Sequence, residues 1–164
     1  MAARAPGATY DTLRAEHRWR LPERFNMGSA CVDRHAPGAL ALVDVRPDGR
    51  RDEYTFGDLA QLSGRLANGL RALGIGAGDP VGILLPQRVE TGLAHLAIYK
   101  LGAIAVPMSI LFGPQALTYR LGDSGAKVVI TDCEHLEPVA EVAAQLGIVI
   151  VIVVDDAPRL HWSF

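Results

Sequence analysis

Helix-like and strand-like segments alternate between Tyr54 and Asp132, and this alternation constrains the fold more than any other feature of the sequence. Short apolar runs bounded by Gly, Pro or Asp predict strands, and longer runs with apolar residues three and four apart predict helices. Such alternation is typical of the α/β class, a mainly parallel sheet flanked by helices. After a first helix the predicted segments are strand Val81–Leu85, helix Val89–Leu101, strand Ala103–Val106, helix Pro114–Leu121 and strand Lys127–Thr131.

The first helix of this stretch has a start signal, an apolar stripe and a stop signal. Thr55 and Asp58 stand three residues apart before the apolar run, which predicts a capping box. Gly74 follows the run, where a left-handed cap favours glycine. The inward face is predicted to carry Leu59, Leu62, Leu66, Leu70 and Leu73.

Segments on both sides of this stretch extend the same fold. Ala39–Val45 and Arg51–Phe56 flank an Asp-Gly step, which predicts a β-hairpin, and we expect it at the edge of the parallel sheet. Glu134–Leu146 predicts another helix, with Leu136, Val139, Val142, Ala143 and Leu146 facing inward. Ile148–Val154 is the most apolar run, which predicts a central strand covered on both faces.

The residues before the hairpin have less apolar periodicity. Asn26–His35 predicts a short helix, and two alternatives are open for residues 1–21. Either Trp19, Leu21 and Phe25 pack onto the main body, or the segment is a partly mobile terminus. We expect residues 1–38 to form an amino-terminal arm and residues 39–164 an α/β subdomain.

Composition excludes several classes of protein. The 164 residues are 49% apolar and 21% charged with a net charge of −2, which suits a globular domain and gives no reason to expect a nucleic acid partner. Two cysteines without metal-ligand spacing favour reduced thiols in the cytoplasm. His95, Lys100 and Pro107 interrupt Leu93–Phe112, so we expect no membrane span.

No motif in the sequence predicts a catalytic or metal site. The glycines of GIGAGDP follow a helix and precede a strand, the reverse of a dinucleotide-binding loop, and therefore predict a helix cap and turn. Lys100 and Lys127 are the only lysines, and neither follows a Ser/Thr/Gly-rich phosphate loop. His95, four residues after Thr91, is predicted to be a hydrogen-bonded structural residue. The remaining histidines, which show no ligand spacing, are His17, His35, His135 and His161.

Several phrases of the chain together resemble one enzyme family. They are YTFGDLAQLSGRLANGLRALGIGAGDPVGILLP, LAIYKLGAIAVP and LFGPQALTYRLGDSGAKVVITD, with a weaker match at ERFNMG. In order and spacing the chain resembles the amino-terminal portion of AMP-forming acyl-CoA synthetases, of the adenylate-forming superfamily. The resemblance implies a partial subdomain of the large N-terminal domain, in which the arm is a wrapping segment.

The resemblance also implies an activity for the complete enzyme. A short- or medium-chain carboxylate would react with MgATP to give acyl-AMP and pyrophosphate, and the acyl group would then pass to CoA. The family's Pro-Lys-Gly phosphate loop, ribose-binding Asp, magnesium-associated Glu and carboxy-terminal catalytic Lys have no counterpart in this chain. We therefore expect no catalytic or metal-binding residue within it, and no adenylating activity from the chain alone.

One loop is predicted to contact substrate. Ligands bind beyond the carboxyl ends of strands in open α/β sheets, where the sequence has Pro86-Gln87-Arg88 and Pro107–Phe112. In the resembling family the second loop contributes to the channel for the pantetheine arm of CoA, which implies a CoA-binding role for Ser109, Ile110 and Leu111. The alternative is that these residues pack beneath the following helix.

Two functional alternatives from other classes remain open. The first is a non-catalytic binding or interaction module that keeps the fold of the family. The second is a different α/β nucleotide-binding domain, such as a flavodoxin-like protein.

Overall fold

A computed structural model of the chain describes residues 9–19, 22–46 and 48–154. Six helices and six strands lie within these ranges, and the alternation predicted from the sequence is confirmed. In chain order they are α1 Tyr10–Glu16, α2 Met27–Cys31, β1 Leu40–Val45, β2 Arg51–Thr55, α3 Phe56–Ala72, β3 Pro80–Leu84, α4 Val89–Leu101, β4 Ile104–Pro107, α5 Pro114–Ser124, β5 Val128–Thr131, α6 Leu136–Leu146 and β6 Ile150–Val153.

Strands β3 to β6 form a four-stranded parallel sheet in the order β4-β3-β5-β6. Alternate residues of β3 and β5 point to opposite faces, as strand geometry requires. Val81, Val128 and Ile130 pack with α3 and α4 on one face, while Leu84 and Val129 pack with α5 and α6 on the other. The α/β class with a mainly parallel sheet flanked by helices is therefore confirmed.

Both ends of α3 have the predicted local structure. Thr55 Oγ1 accepts the Asp58 N–H at 3.1 Å, and Asp58 Oδ2 accepts the Thr55 N–H at 2.9 Å, which completes the capping box. At the other end Gly74 has a φ of 86°, and the Ile75 N–H donates to Leu70 O at 3.0 Å. This is a Schellman ending, and the positive φ explains the glycine.

The inward face of α3 differs from the predicted leucine stripe. Leu59 and Leu70 are buried as predicted, but Ser63 and Ala67 complete the buried face. Three of the predicted residues, Leu62, Leu66 and Leu73, are only half-buried. Small residues lie where α3 meets α4, whose own buried face includes Ala94 and Ala97. Ser63 is tolerated there because its hydroxyl donates to Leu59 O at 2.6 Å.

The hairpin of β1 and β2 is confirmed, but its predicted position is wrong. It forms a separate two-stranded antiparallel sheet and is not paired with the parallel sheet. Thr55 is both the last residue of β2 and the N-cap of α3, so the hairpin lies beside that helix. Its apolar side packs against α3 and α4 through Ala41, Leu42 and Tyr54.

Strand β6 lies at the edge of the four-stranded sheet, so the prediction of a central strand is wrong within the described residues. The predicted covering of both faces is correct, since Ile150 and Ile152 pack against one core cluster and Val151 against the other. A continuous apolar run predicts that both faces of a strand are covered. It does not predict whether another strand pairs along its outer edge.

The amino-terminal segment contacts the body through α2 and not through its aromatic residues. Trp19 is 81% exposed and Phe25 60% exposed, so packing of these two onto the main body is wrong, and Leu21 lies outside the described residues. Asn26 caps α2 by accepting the Ser29 N–H, and its amide donates to two carbonyls at the end of α4. Helix α1 has no buried residue.

Candidate functional site

The loop predicted to contact substrate begins at the carboxyl end of β4. Pro107 is the last residue of that strand, and the Met108 N–H donates to Ile83 O at 2.9 Å, which fixes the start of the loop against β3. The Met108 side chain is buried between the sheet and α5. Gly82 makes room for it, because an added Cβ there would lie 2.8 Å from Leu121 Cδ2 and 3.3 Å from Met108 Cε.

Residues 109–112 form a tight turn that we call the 109–112 turn. The Phe112 N–H donates to Ser109 O at 3.0 Å, and the Leu111 N–H donates to Ser109 Oγ at 3.2 Å. Leu111 is 88% exposed, so it does not pack beneath the following helix, while Ile110 is 37% exposed. Phe112 does pack, against the cluster shared with α5 and α6. The turn therefore presents two apolar side chains at the carboxyl edge of the sheet.

The second predicted position, Pro86-Gln87-Arg88, lies at the end of β3. Thr91 Oγ1 donates to Pro86 O at 2.6 Å, and Arg88 Nε lies 2.7 Å from Glu90 Oε2 in an ion pair at the start of α4. The hairpin residue Tyr54 is close enough to be affected by Glu90. Burial raises the pKa of the Tyr54 hydroxyl, and the carboxylates of Asp52 and Glu90 raise it further.

A polar pair that was not predicted from the sequence lies at the end of β5. Asp132 is buried, and its Oδ1 accepts the His135 N–H at 3.0 Å and lies 2.6 Å from His135 Nδ1. Next to it, Thr131 Oγ1 is buried and has no hydrogen-bond partner among the described residues. The sequence does contain a signal for this pair. Asp132 directly follows an apolar strand and stands three residues before His135, at the start of a helix.

The two lysines and the glycine-rich turn make structural contacts. Lys100 Nζ lies 2.8 Å from Asp33 Oδ1 and donates to Ala60 O, and Lys127 Nζ lies 2.7 Å from Asp79 Oδ1. Asp79 Oδ2 also accepts the Gly76 N–H at 2.8 Å, so GIGAGDP is the predicted turn. The Lys127 ammonium and then the Gly76 N–H hold the pKa of Asp79 below its usual value.

The predicted histidine contact is also found. His95 Nδ1 lies 2.8 Å from Thr91 O one helical turn earlier, as a structural histidine should. His35 stacks on the Phe56 ring with centroids 4.2 Å apart. His161 lies outside the described residues.

A groove of about 410 Å³ lies at the opposite edge of the sheet from the 109–112 turn. It is formed where α5 and α6 end and β5 and β6 begin, and Lys127, Leu146 and Val149 are among its lining residues. No predicted site residue lines it. Across residues 9–19, 22–46 and 48–154, no cluster of three or more His, Cys, Asp or Glu is placed to hold a metal ion. The helices of those same ranges include none with the length and apolar character needed to span a bilayer.

Comparisons with known proteins agree with this architecture. The AMP-binding enzyme family model matches residues 30–163. An acetyl-coenzyme A synthetase of Halorhodospira halophila is 37% identical over 132 residues, 76% of this chain and 20% of that protein. A 3-hydroxypropionyl-coenzyme A synthetase of Metallosphaera sedula is 38% identical over 128 residues, 74% of this chain and 19% of that protein. The crystal structure of Brucella canis acyl-CoA synthetase superposes with a TM-score of 0.75 and 34% identity, covering 84% of this chain and 25% of that chain.

The fold defines an α/β protein whose parallel sheet carries helices on both faces and a hairpin beside them. With the family match over most of its length, the chain belongs to the AMP-binding enzyme family, and the prediction of an adenylate-forming family member is confirmed. The chain spans about a fifth of the length of the curated synthetases described above.

Proposed function

We propose that this chain is the amino-terminal portion of an AMP-forming acyl-CoA synthetase. The observation that carries the proposal is the match to the AMP-binding enzyme family over residues 30–163, together with synthetase relatives at 37% and 38% identity. The complete enzyme would activate a short- or medium-chain carboxylate with MgATP, release pyrophosphate, and transfer the acyl group to the thiol of CoA. A role in fatty acid metabolism in the cytoplasm is part of the proposal.

Within that reaction the chain would supply scaffold and one wall of the CoA channel, formed by Ser109, Ile110 and Leu111. Two observations support this role. The 109–112 turn is at the carboxyl edge of a parallel sheet, where ligands of open α/β folds bind. Its two apolar side chains are exposed, which suits contact with the uncharged pantetheine arm.

The chain by itself is proposed to be inactive in adenylation. Both of its lysines are held by carboxylates, Lys100 by Asp33 and Lys127 by Asp79, so neither offers a free ammonium to ATP phosphates. The same observation favours the second candidate for the isolated chain, a non-catalytic module of the same fold. Residues 1–38 would act as an arm on the subdomain 39–164, which fits the absence of buried residues in α1.

The inactivity proposal is tested by incubating the 164-residue chain with MgATP, CoA and straight-chain acids from acetate to dodecanoate. We expect pyrophosphate release equal to that of a heat-denatured sample. Turnover above that level, from a preparation free of host synthetases, would overturn the proposal.

The CoA role is tested in an active synthetase that contains this chain. Ser109→Trp places bulk at the turn and is expected to lower kcat/KM for CoA by about 10-fold or more, equivalent to about 1.4 kcal/mol. Pyrophosphate exchange, which reports adenylation alone, should stay at the wild-type rate. Asp48→Trp, in the exposed turn of the hairpin, is the matched control and should change neither reaction. If Ser109→Trp leaves the CoA reaction unchanged, the turn does not contact CoA.

A further inference from the structure

The 109–112 turn is fixed to the body of the protein at both of its ends. Met108 at the start is hydrogen-bonded to β3 and buried. Phe112 at the other end packs against the cluster shared by α5 and α6. Between these anchors two backbone N–H groups bond to Ser109, the Leu111 side chain extends into solvent, and the Ile110 side chain is partly exposed. The orientation of Ile110 and Leu111 therefore depends on how firmly Phe112 is held.

Arg120 of α5 lies over the face of the Phe112 ring. Its guanidinium carbon lies 4.6 Å from the ring centroid, within the range of a cation–π contact. Arg120 is exposed, and within the described part of the chain it makes no ion pair, so the aromatic face is what orients it. The half-buried ring is thereby enclosed between the apolar core and a cation.

We propose that Arg120 is a positioning residue that acts through Phe112 to fix the 109–112 turn, so that Ile110 and Leu111 are already arranged for the pantetheine arm before CoA binds. This proposal rests on the proposed function for its ligand, while the fixing of the turn stands on the geometry alone. A preorganised turn avoids the entropy cost of ordering the loop when the ligand arrives.

Hydrogen exchange on the 164-residue chain tests the fixing of the turn. Arg120→Met removes the cation and keeps a long apolar side chain. Exchange of the Leu111 and Phe112 amides should accelerate about 2- to 5-fold, the factor expected for an exposed cation–π contact. The core amide of Val129 should be unchanged. Arg120→Lys restores a cation and should recover part of the protection.

The matched control is Arg65→Met, an exposed arginine on α3, which packs on the other face of the sheet. It should leave the amides of the turn unchanged. Equal exchange of these amides in wild type and Arg120→Met overturns the proposal. A uniform acceleration that includes Val129 also overturns it, because it indicates a general loss of stability.

The second measurement uses an active synthetase containing the chain. Arg120→Met should raise KM for CoA about 2- to 5-fold, with kcat and pyrophosphate exchange unchanged, and Arg120→Lys should recover part of the loss. If Ser109→Trp impairs the CoA reaction but Arg120→Met does not, the positioning role is wrong and the proposed CoA contact stands. If Ser109→Trp has no effect, the proposed CoA contact is wrong, and hydrogen exchange alone decides whether Arg120 fixes the turn.

Discussion

The parallel sheet and the amino-terminal segment with its hairpin are stabilised by different forces. Strands β3 and β5 are almost entirely buried and apolar, and helices cover both of their faces. The hairpin strands are half-exposed, and the hairpin carries ion pairs at its surface such as Arg51–Glu53 at 3.7 Å and Arg50–Asp52 at 3.3 Å. Exposed ion pairs contribute little, typically about 0–1 kcal/mol, whereas each buried aliphatic side chain contributes about 1.5–3 kcal/mol.

The difference indicates where the folding free energy of the chain resides. The sheet and its helices form a core that tolerates little loss of volume. The amino-terminal segment is instead attached through a few specific contacts: Asn26 with the carbonyls that end α4, and Asp33 with Lys100. Three predictions, in order of decreasing effect, test this distinction.

The largest effect is expected in the core. Leu70 is fully buried between α3 and the sheet, so Leu70→Ala should lower the free energy of unfolding by about 2–5 kcal/mol. Leu66→Ala is the matched control on the same helix. Its side chain is half-buried, and the loss should be less than half as large. Urea denaturation of both variants measures the difference, and equal midpoints would show that the assigned buried face of α3 is wrong.

An intermediate effect is expected at the attachment of the amino-terminal segment. Asn26→Ala removes the cap of α2 and both hydrogen bonds to α4, and should cost about 0.5–2 kcal/mol. Thr9→Ala removes the corresponding cap of α1, a helix with no buried residue, and should leave the global unfolding midpoint unchanged. A comparable shift in both variants would mean that α1 belongs to the cooperative core.

The smallest effect concerns pH and the Asp79–Lys127 ion pair, which joins the turns before β3 and β5. The pKa of Asp79 is lower in the folded protein, first because of Lys127 and then because of the Gly76 N–H. A lowered folded-state pKa contributes stability above the unfolded value near 3.8, and this contribution is lost as pH falls through the folded pKa.

Wild type should therefore be more stable than Asp79→Asn at neutral pH, and the difference should disappear as the pH falls below the usual carboxyl range. Lys127→Met is the matched control, because Asp79 then keeps only its bond from Gly76, and the pH-dependent difference should shrink. Thermal melts from neutral to acidic pH measure this, and a difference independent of pH would contradict the assignment.

Features that depend on neighbours in the chain were predicted from the sequence. The Thr55–Asp58 capping box, the glycine ending at Gly74 and the helix Val89–Leu101 were all found as predicted. Each is determined by residues within one or two turns, where propensity and hydrogen bonding act directly. The family could be predicted for a related reason, since whole phrases with fixed spacing carry the resemblance.

Features that depend on distant residues were not predicted. On α3, Leu66 was predicted to be buried but is half-buried, and Ser63 is buried instead. The buried face depends on how closely α4 approaches and not on hydrophobicity alone. The CoA role of Ser109, Ile110 and Leu111 stays a prediction. Their exposure could not have been predicted, because an apolar loop sequence is equally compatible with packing beneath the next helix.

The sequence by itself determined the elements from α2 onward, both ends of α3, the α/β class and the family, but it did not predict helix α1. Only the tertiary structure decided that β6 lies at an edge of the sheet formed by the described residues, that the hairpin stands apart from that sheet, and that the two lysines pair with Asp33 and Asp79. The physical reason is the sequence separation of the interacting residues. Capping hydrogen bonds and helical or strand periodicity involve residues a few positions apart, so they are visible as local patterns in the sequence. Strand order and ion pairs between residues 67 and 48 positions apart arise only when the chain is compact.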